Sequence, residues 1–173
     1  MKLKIFFLTH NLIFFFDLQP KPVGSSLLVQ LIIAMTKNLL HSIGMTLSFL
    51  TLRILKPNWK YIIWSRIDQK TCFKCIITSG FIPIIIDPII KKNTENNNNN
   101  NYELITNIEK ITTKINELGK ENILCIFSTT SCFAPRNYDD IESLSLICKE
   151  NNIFHVVNNA YGIQCTKIVD YFK

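Results

Sequence analysis

Between Tyr61 and Val157 short apolar runs alternate with helical periods, and that rhythm leaves few architectures open to the chain. The runs Tyr61–Trp64, Phe81–Ile86, Asn122–Phe127 and Ile153–Val157 are brief and nearly continuous in apolar side chains. Strands of that kind are buried on both faces, as in parallel sheets. Between them the spacing predicts helices over Lys70–Ser79, Tyr102–Leu118 and Asp139–Glu150. The second has the clearest 3.6 period, with Leu104, Ile105, Ile108, Ile111, Ile115 and Leu118 on one stripe. Gly80 and Gly119 cap the first two helices. Two acids open the third, where the helix dipole is positive. Strand–helix–strand units cross over with a right hand. The expected fold is therefore α/β, a parallel-sheet three-layer α/β/α sandwich.

A parallel sheet sends every strand end to one edge, and ligands of open α/β sheets sit beyond that edge. Here the ends are Ser65–Gln69, Asp87, Ser128–Arg136 and Asn158–Gly162, and three of the four carry hydrogen-bonding residues. The last reads N-I-F-H-V-V-N-N-A-Y-G over Asn152–Gly162. Paired amides at Asn158 and Asn159 make a ligand edge, with Ala160 and Gly162 allowing close backbone approach. The same residues also compose an ordinary Asn-rich turn.

A chain of 173 residues holds one domain with a sizeable core. Its net charge of +6, from 19 basic and 13 acidic residues, favours an anionic partner without being a nucleic-acid signature by itself. Six cysteines (Cys72, Cys75, Cys125, Cys132, Cys148 and Cys165) are scattered through the predicted elements. A disulfide framework belongs to small, loop-rich secreted domains, so buried reduced thiols in a cytosolic protein fit better. Cys72 and Cys75 form a CxxC within a helix, but with no second pair neither a zinc nor a redox site is expected.

Met1–Phe16 begins with lysines before an apolar run, which imitates a signal peptide or membrane anchor. It is interrupted by Thr9, His10 and Asn11 and is too short to span a bilayer. A targeting segment, a buried strand and sequence foreign to the folded domain remain open, and the last is the expectation. Asp17–Leu28 is an irregular loop whose Ser25 and Ser26 cap an apolar helix from Leu27 to about His41. Its free N–H groups, two hydroxyls and Lys21 make an anion site, although a plain proline-rich helix start is the commoner outcome. Ser42-Ile43-Gly44 is a second irregular point before a helix from Met45 to about Leu55, which Lys56-Pro57-Asn58 ends. Residues 88–101 close with six asparagines in a row, expected to be a disordered, exposed insertion. Gln164–Lys173 is expected to be helical.

Five segments, in order, resemble one family. They are QPKPVGSSLL (Gln19–Leu28), GMTLSFLTLR (Gly44–Arg53), KYIIWSRIDQKTCFK (Lys60–Lys74), ILCIFSTTSCFAPR (Ile123–Arg136) and HVVNNAYGIQ (His155–Gln164). The chain is similar to the eukaryotic and archaeal O-phosphoseryl-tRNA(Sec) selenium transferases, or selenocysteine synthases. The resemblance implies a pyridoxal 5'-phosphate enzyme of fold type I, the aspartate-aminotransferase type, with residues 17–173 forming part of its large domain. It implies that Gln19 binds the phosphate of the phosphoseryl substrate, with Lys21, Ser25 and Ser26 alongside. It implies a cofactor pocket from Gly44, Gln69, Lys70, Asn158 and Ala160. Gly44 belongs to the turn for the cofactor phosphate, in which Ile43 replaces the family's Thr. Gln69 stacks on the pyridine ring, with Lys70 beside it. Asn158 stands where related folds place an aspartate against the ring nitrogen. An amide there hydrogen-bonds the nitrogen but does not offset a full pyridinium charge.

The family's reaction takes tRNA(Sec) carrying O-phosphoserine, removes phosphate by β-elimination and adds selenium from selenophosphate. A cytoplasmic homotetramer with no membrane association is implied. The lysine that bonds the cofactor lies in the family beyond the position of Lys173, and the family's upstream Arg-Ser pair is replaced by Ile13–Phe16. Between Leu28 and Gly44 the chain is also shorter than the family's pattern. A fragment, inactive alone and with an open apolar sheet edge, is therefore expected. A non-catalytic tRNA-binding or subunit-interaction module is the alternative. An unrelated Rossmann-like enzyme is a third, disfavoured by the lack of a GxGxxG or GxxxxGKS/T loop.

Overall fold

The Ile-rich runs pair side by side as expected. The computed structural model describes residues 43–93, 101–130 and 136–159. In chain order these form helix α1 (43–55), β1 (Tyr61–Ser65), α2 (Lys70–Thr78), β2 (Ile82–Ile86), β3 (Ile89–Asn93), β4 (Asn101–Ile105) and α3 (Ile108–Leu118). A 3-10 turn (Lys120–Asn122), β5 (Ile123–Thr129), α4 (Ile141–Asn151) and β6 (Phe154–Asn158) follow. Four strands make a parallel sheet in the order β2-β1-β5-β6, and β3 and β4 pair separately as an antiparallel ribbon.

Helices cover both faces of the sheet, because its strands are apolar on both. On one face Met45, Phe49 and Leu52 of α1 and Cys72, Cys75 and Ile76 of α2 pack on Ile62, Trp64, Phe127 and Val156. On the other, Ile111 and Ile115 of α3 and Leu144 and Cys148 of α4 pack on Ile63, Ile123 and Ile126. The β1–β5 register slips by one residue after Tyr61, so Leu124 and Cys125 both reach the first core. All seven residues of β5 are buried, each large apolar one contributing roughly 1.5–3 kcal/mol. Arg53 anchors the late part of α1 at the amino edge, its guanidinium 4.4 Å from the Phe81 ring centroid and bonded to the Gly80 carbonyl.

Three expectations change. Tyr102–Ile105 is not the start of a helix but strand β4, paired with β3 in the register Ile90 to Leu104 and Lys92 to Tyr102. Helix α3 begins later because Asn107 accepts a hydrogen bond from the Lys110 N–H, a side-chain N-cap. Thr106, just before it, is pinned to Asp139 and to the Asp140 N–H. Of the insertion expected over 88–101, Ile89–Asn93 form β3 and Asn101 opens β4, while 94–100 lie outside the described residues. Ile43 and Gly44 are helical rather than an irregular point before the helix. Burial of Met45, Ser48, Phe49 and Leu52 on one stripe carries the helical turn back through them. The other elements differ from expectation by one to two residues at their ends. The expected helices Leu27–His41 and Gln164–Lys173, and segment 1–16, lie outside the described residues. Among the described residues no helix is long and apolar enough to cross a membrane.

The described cysteines Cys72, Cys75, Cys125 and Cys148 are buried and none is in a disulfide. Burial, and after it the neighbouring Cys148, push the Cys125 thiol well above its usual range. The thiolate is the reactive form, so Cys125 is inert while the sheet is intact. Iodoacetamide at mildly alkaline pH is expected to leave Cys125 unmodified in peptide maps of the folded protein. Labelling there at the rate seen in denaturant would contradict this.

Candidate functional site at the carboxyl edge of the sheet

The chain leaves β1 toward β2 on one side and returns through β5 on the other, so the order β2-β1-β5-β6 reverses between β1 and β5. In open α/β sheets that reversal opens a crevice beyond the carboxyl ends. The residues there are Ser65, the 66–69 loop, Thr129, Thr130 and, one strand over, Asn158.

Asp139 organises the floor of this edge. It is fully buried, and its Oδ1 accepts from Ser65 Oγ (2.6 Å), Thr106 Oγ1 (3.0 Å) and Arg136 Nη2 (2.6 Å). Its Oδ2 accepts from the Thr129 N–H at 2.8 Å. Arg136, whose side chain is 5% exposed, also donates through Nη1 to the Arg66 carbonyl at 2.7 Å. One carboxylate thus binds β1, β5, the ribbon and the loop before α4. Its acceptor sites are occupied, so it holds the edge in place and is not free to act as a base. The structure corrects its expected part at the helix start: Asp140 caps α4 through the Ser143 N–H, while Asp139 turns inward.

Above the floor, Gln69 and Asn158 converge through a third residue. Gln69 is the half-buried N-cap residue of α2, in extended conformation with no side-chain capping bond. Its Oε1 accepts from the Cys72 thiol at 3.4 Å. Asn158, 6% exposed at the end of β6, donates from Nδ2 to the Cys72 sulfur at 3.6 Å. Its backbone carbonyl accepts from the Thr130 N–H (3.1 Å) and the Thr129 hydroxyl (3.1 Å). Thr130 Oγ1 bonds the neighbouring Asn159 amide at 2.7 Å. No described residue donates to the Asn158 side-chain oxygen. A buried acceptor left so costs about 1–3 kcal/mol unless a ligand or water serves it.

Lys70 opens α2 and is exposed. Gly44 lies in α1, where its carbonyl accepts from the Ser48 hydroxyl at 2.8 Å. Gln19, Lys21, Ser25, Ser26 and Ala160 lie outside the described residues. On the opposite face Ser128 and Ser145 hold the two ring nitrogens of His155 at 2.8 and 3.1 Å, fastening α4 to the sheet. Cys72 and Asp139 were not expected as parts of the edge. Their signals in the sequence are slight. Cys72 stands one helical turn after Gln69, and Asp139 belongs to a doublet of which one member suffices to cap a helix.

Residues 2–173 match the family described as O-phosphoseryl-tRNA(Sec) selenium transferase. A curated protein of that name from Dictyostelium discoideum is 43% identical over 171 residues, 87% of this chain and 34% of that protein. One from Caenorhabditis elegans is 37% identical over 170 residues, 88% of this chain and 33% of that protein. The chain therefore spans about a third of the length of these relatives. The crystal structure of an archaeal O-phosphoseryl-tRNA(Sec) selenium transferase superposes with a TM-score of 0.61 at 23% identity, covering 91% of this chain and 38% of that one. A sphingosine-1-phosphate lyase from Burkholderia pseudomallei superposes at 0.51 with 15% identity, over 67% of this chain and 24% of that one. These likenesses give the fold, and it is the expected α/β/α sandwich of pyridoxal-phosphate fold type I.

Proposed function

This chain belongs to the O-phosphoseryl-tRNA(Sec) selenium transferase family, and from that premise we propose that it supplies part of a pyridoxal 5'-phosphate pocket. The whole enzyme would convert O-phosphoseryl-tRNA(Sec) to selenocysteinyl-tRNA(Sec) with selenophosphate. The observation that carries this reading is the buried Asn158 amide, joined through Cys72 to Gln69, with an unserved oxygen at the carboxyl edge. Two neutral planar amides around a thiol suit a heteroaromatic ring bearing one hydrogen-bonding nitrogen.

In this reading Asn158 binds the ring nitrogen and Gln69 covers one face of the ring. The resemblance adds Gly44, Lys70 and Ala160 to the same pocket. Gln19, Lys21, Ser25 and Ser26 grip the substrate's phosphate, chemistry that a helix start with hydroxyls and a lysine supports. When bound, the cofactor supplies an electron sink that eases loss of the substrate's α-proton and departure of its phosphate. The Asp139 hub keeps β1, β5 and the 136–140 segment in register, so the amides meet the ligand without rearrangement. The net charge of +6 favours approach of a polyanion such as tRNA(Sec). A cytoplasmic homotetramer completes the reading, in keeping with buried described cysteines outside any disulfide.

The test is a chimera in which residues 43–159 replace the matching stretch of the Dictyostelium discoideum relative. Cofactor absorbance and selenocysteinyl-tRNA(Sec) formation are expected to survive. A chimera that folds, by circular dichroism, yet takes up no cofactor overturns the reading.

A further inference from the structure

We propose that Cys72 is a positioning residue that aims the Asn158 amide, so that the pocket offers a hydrogen-bond acceptor and selects the protonated ring nitrogen of a pyridine ligand. This rests on the cofactor reading above.

A thiol has one proton. Here the Cys72 thiol gives it to Gln69 Oε1 at 3.4 Å, and the sulfur's lone pairs face other neighbours. Another is Asn158, whose nitrogen end faces the sulfur, with Nδ2 at 3.6 Å. While the thiol proton is on Gln69, turning the amide over would set two acceptors, Oδ1 and sulfur, against each other. Asn158 is also held from behind, since its backbone carbonyl is bonded by both Thr129 and Thr130. With one Nδ2 hydrogen committed to α2, the carbonyl oxygen has no donor among the described residues, on a residue only 6% exposed. Nδ2 keeps a second hydrogen that no described residue accepts either; the inference places the ring nitrogen at the oxygen, the end turned away from the sulfur.

An acceptor in that place discriminates. A neutral pyridine nitrogen has a lone pair and no proton, so it cannot bond Oδ1. A protonated one donates N–H to it. The relay from Gln69 through Cys72 therefore does with a dipole part of what a carboxylate does with a charge. It accounts for how an amide position can serve the cationic ring that the sequence alone left without a counterpart.

The probe is 4'-deoxypyridoxine 5'-phosphate, which lacks the aldehyde and so reports on the ring without a covalent link. In the chimera described above, which carries residues 43–159 of this chain, equilibrium dialysis gives its affinity, and ultraviolet absorbance gives the protonation of its ring against pH. Bound to the wild type, the ring is expected to hold its proton to higher pH than in free solution, so affinity falls as pH rises through that titration. Cys72→Ala is expected to weaken binding about tenfold, the effect of one hydrogen bond to a charged group. It should also return the ring's titration about one pH unit toward the free probe. Cys72→Ser keeps a donor and lone pairs and is expected to retain both properties. Circular dichroism establishes that each variant is folded.

A folded Cys72→Ala variant with the wild-type pH profile overturns this inference and leaves the cofactor reading standing. Equal losses in Cys72→Ser and Cys72→Ala also overturn it, since packing alone would then explain them. Failure of the wild type to bind the probe at any pH removes the cofactor reading, and this inference with it.

Discussion

Replacing Asp139 with alanine is expected to lower the unfolding free energy by about 3–5 kcal/mol, because it leaves a buried cation without its partner. The Arg136 side chain is 5% exposed and its Nη2 lies 2.6 Å from the carboxylate. Ser65, Thr106 and the Thr129 N–H lose their acceptor in the same step. Asp139→Asn keeps the shape but offers an NH2 group where two oxygens now accept, so it is expected to fall between alanine and the wild type. In urea titrations the midpoint should drop with little change in slope. The melting temperature should fall by about 10–20 °C. Arg136→Ala combined with Asp139→Ala is expected to cost less than the sum of the two, since the second change removes a charge the first has stranded. A midpoint unchanged in Asp139→Ala would show that the hub is not under tension from buried charge.

Phe127→Ala is the second large effect, expected at about 3–5 kcal/mol from lost burial and the cavity left behind. Phe127 is 1% exposed in the central part of the sheet, and its ring meets Phe49 of α1 edge to face at 5.3 Å between centroids. A double-mutant cycle with Phe49→Ala isolates that contact, expected to couple by about 0.5–1.5 kcal/mol. Additive losses would mean that each ring packs on the sheet independently and that the pair does not dock α1.

The four strands were legible because burial on both faces demands unbroken apolar runs, and Tyr61–Ser65 and Ile123–Thr129 can bury nothing else. The ribbon was not, since Leu104 and Ile105 continue the spacing of Ile108 and Ile111 by coincidence. Periodicity records which residues are apolar, and it does not see that the Asn107 side chain closes off the first turn of α3. The edge itself was legible from topology, and Gln69 and Asn158 from the resemblance. What joins them was hidden, because a hydrogen-bonded thiol has no spacing rule, and Cys72 drew notice only as half of a CxxC. Asp139 escaped for a similar reason. Beside Asp140 it reads as a second helix-dipole charge, and only the fold reveals that one of the pair faces inward.

Strand β2, outermost in the sheet among the described residues, carries Pro83. Backbone groups alternate along a strand, and the Ile82 N–H and Ile86 carbonyl point inward, toward the β1 side. Pro83 and Ile85 therefore face out, and a proline nitrogen has no hydrogen to give. A foreign strand laid along this rim would find a single N–H from five residues, too sparse a rail for copies of the chain to zip onto one another. The imino ring acts as a built-in stop against runaway fibre growth at the place where a bare, isoleucine-rich flank would otherwise invite it.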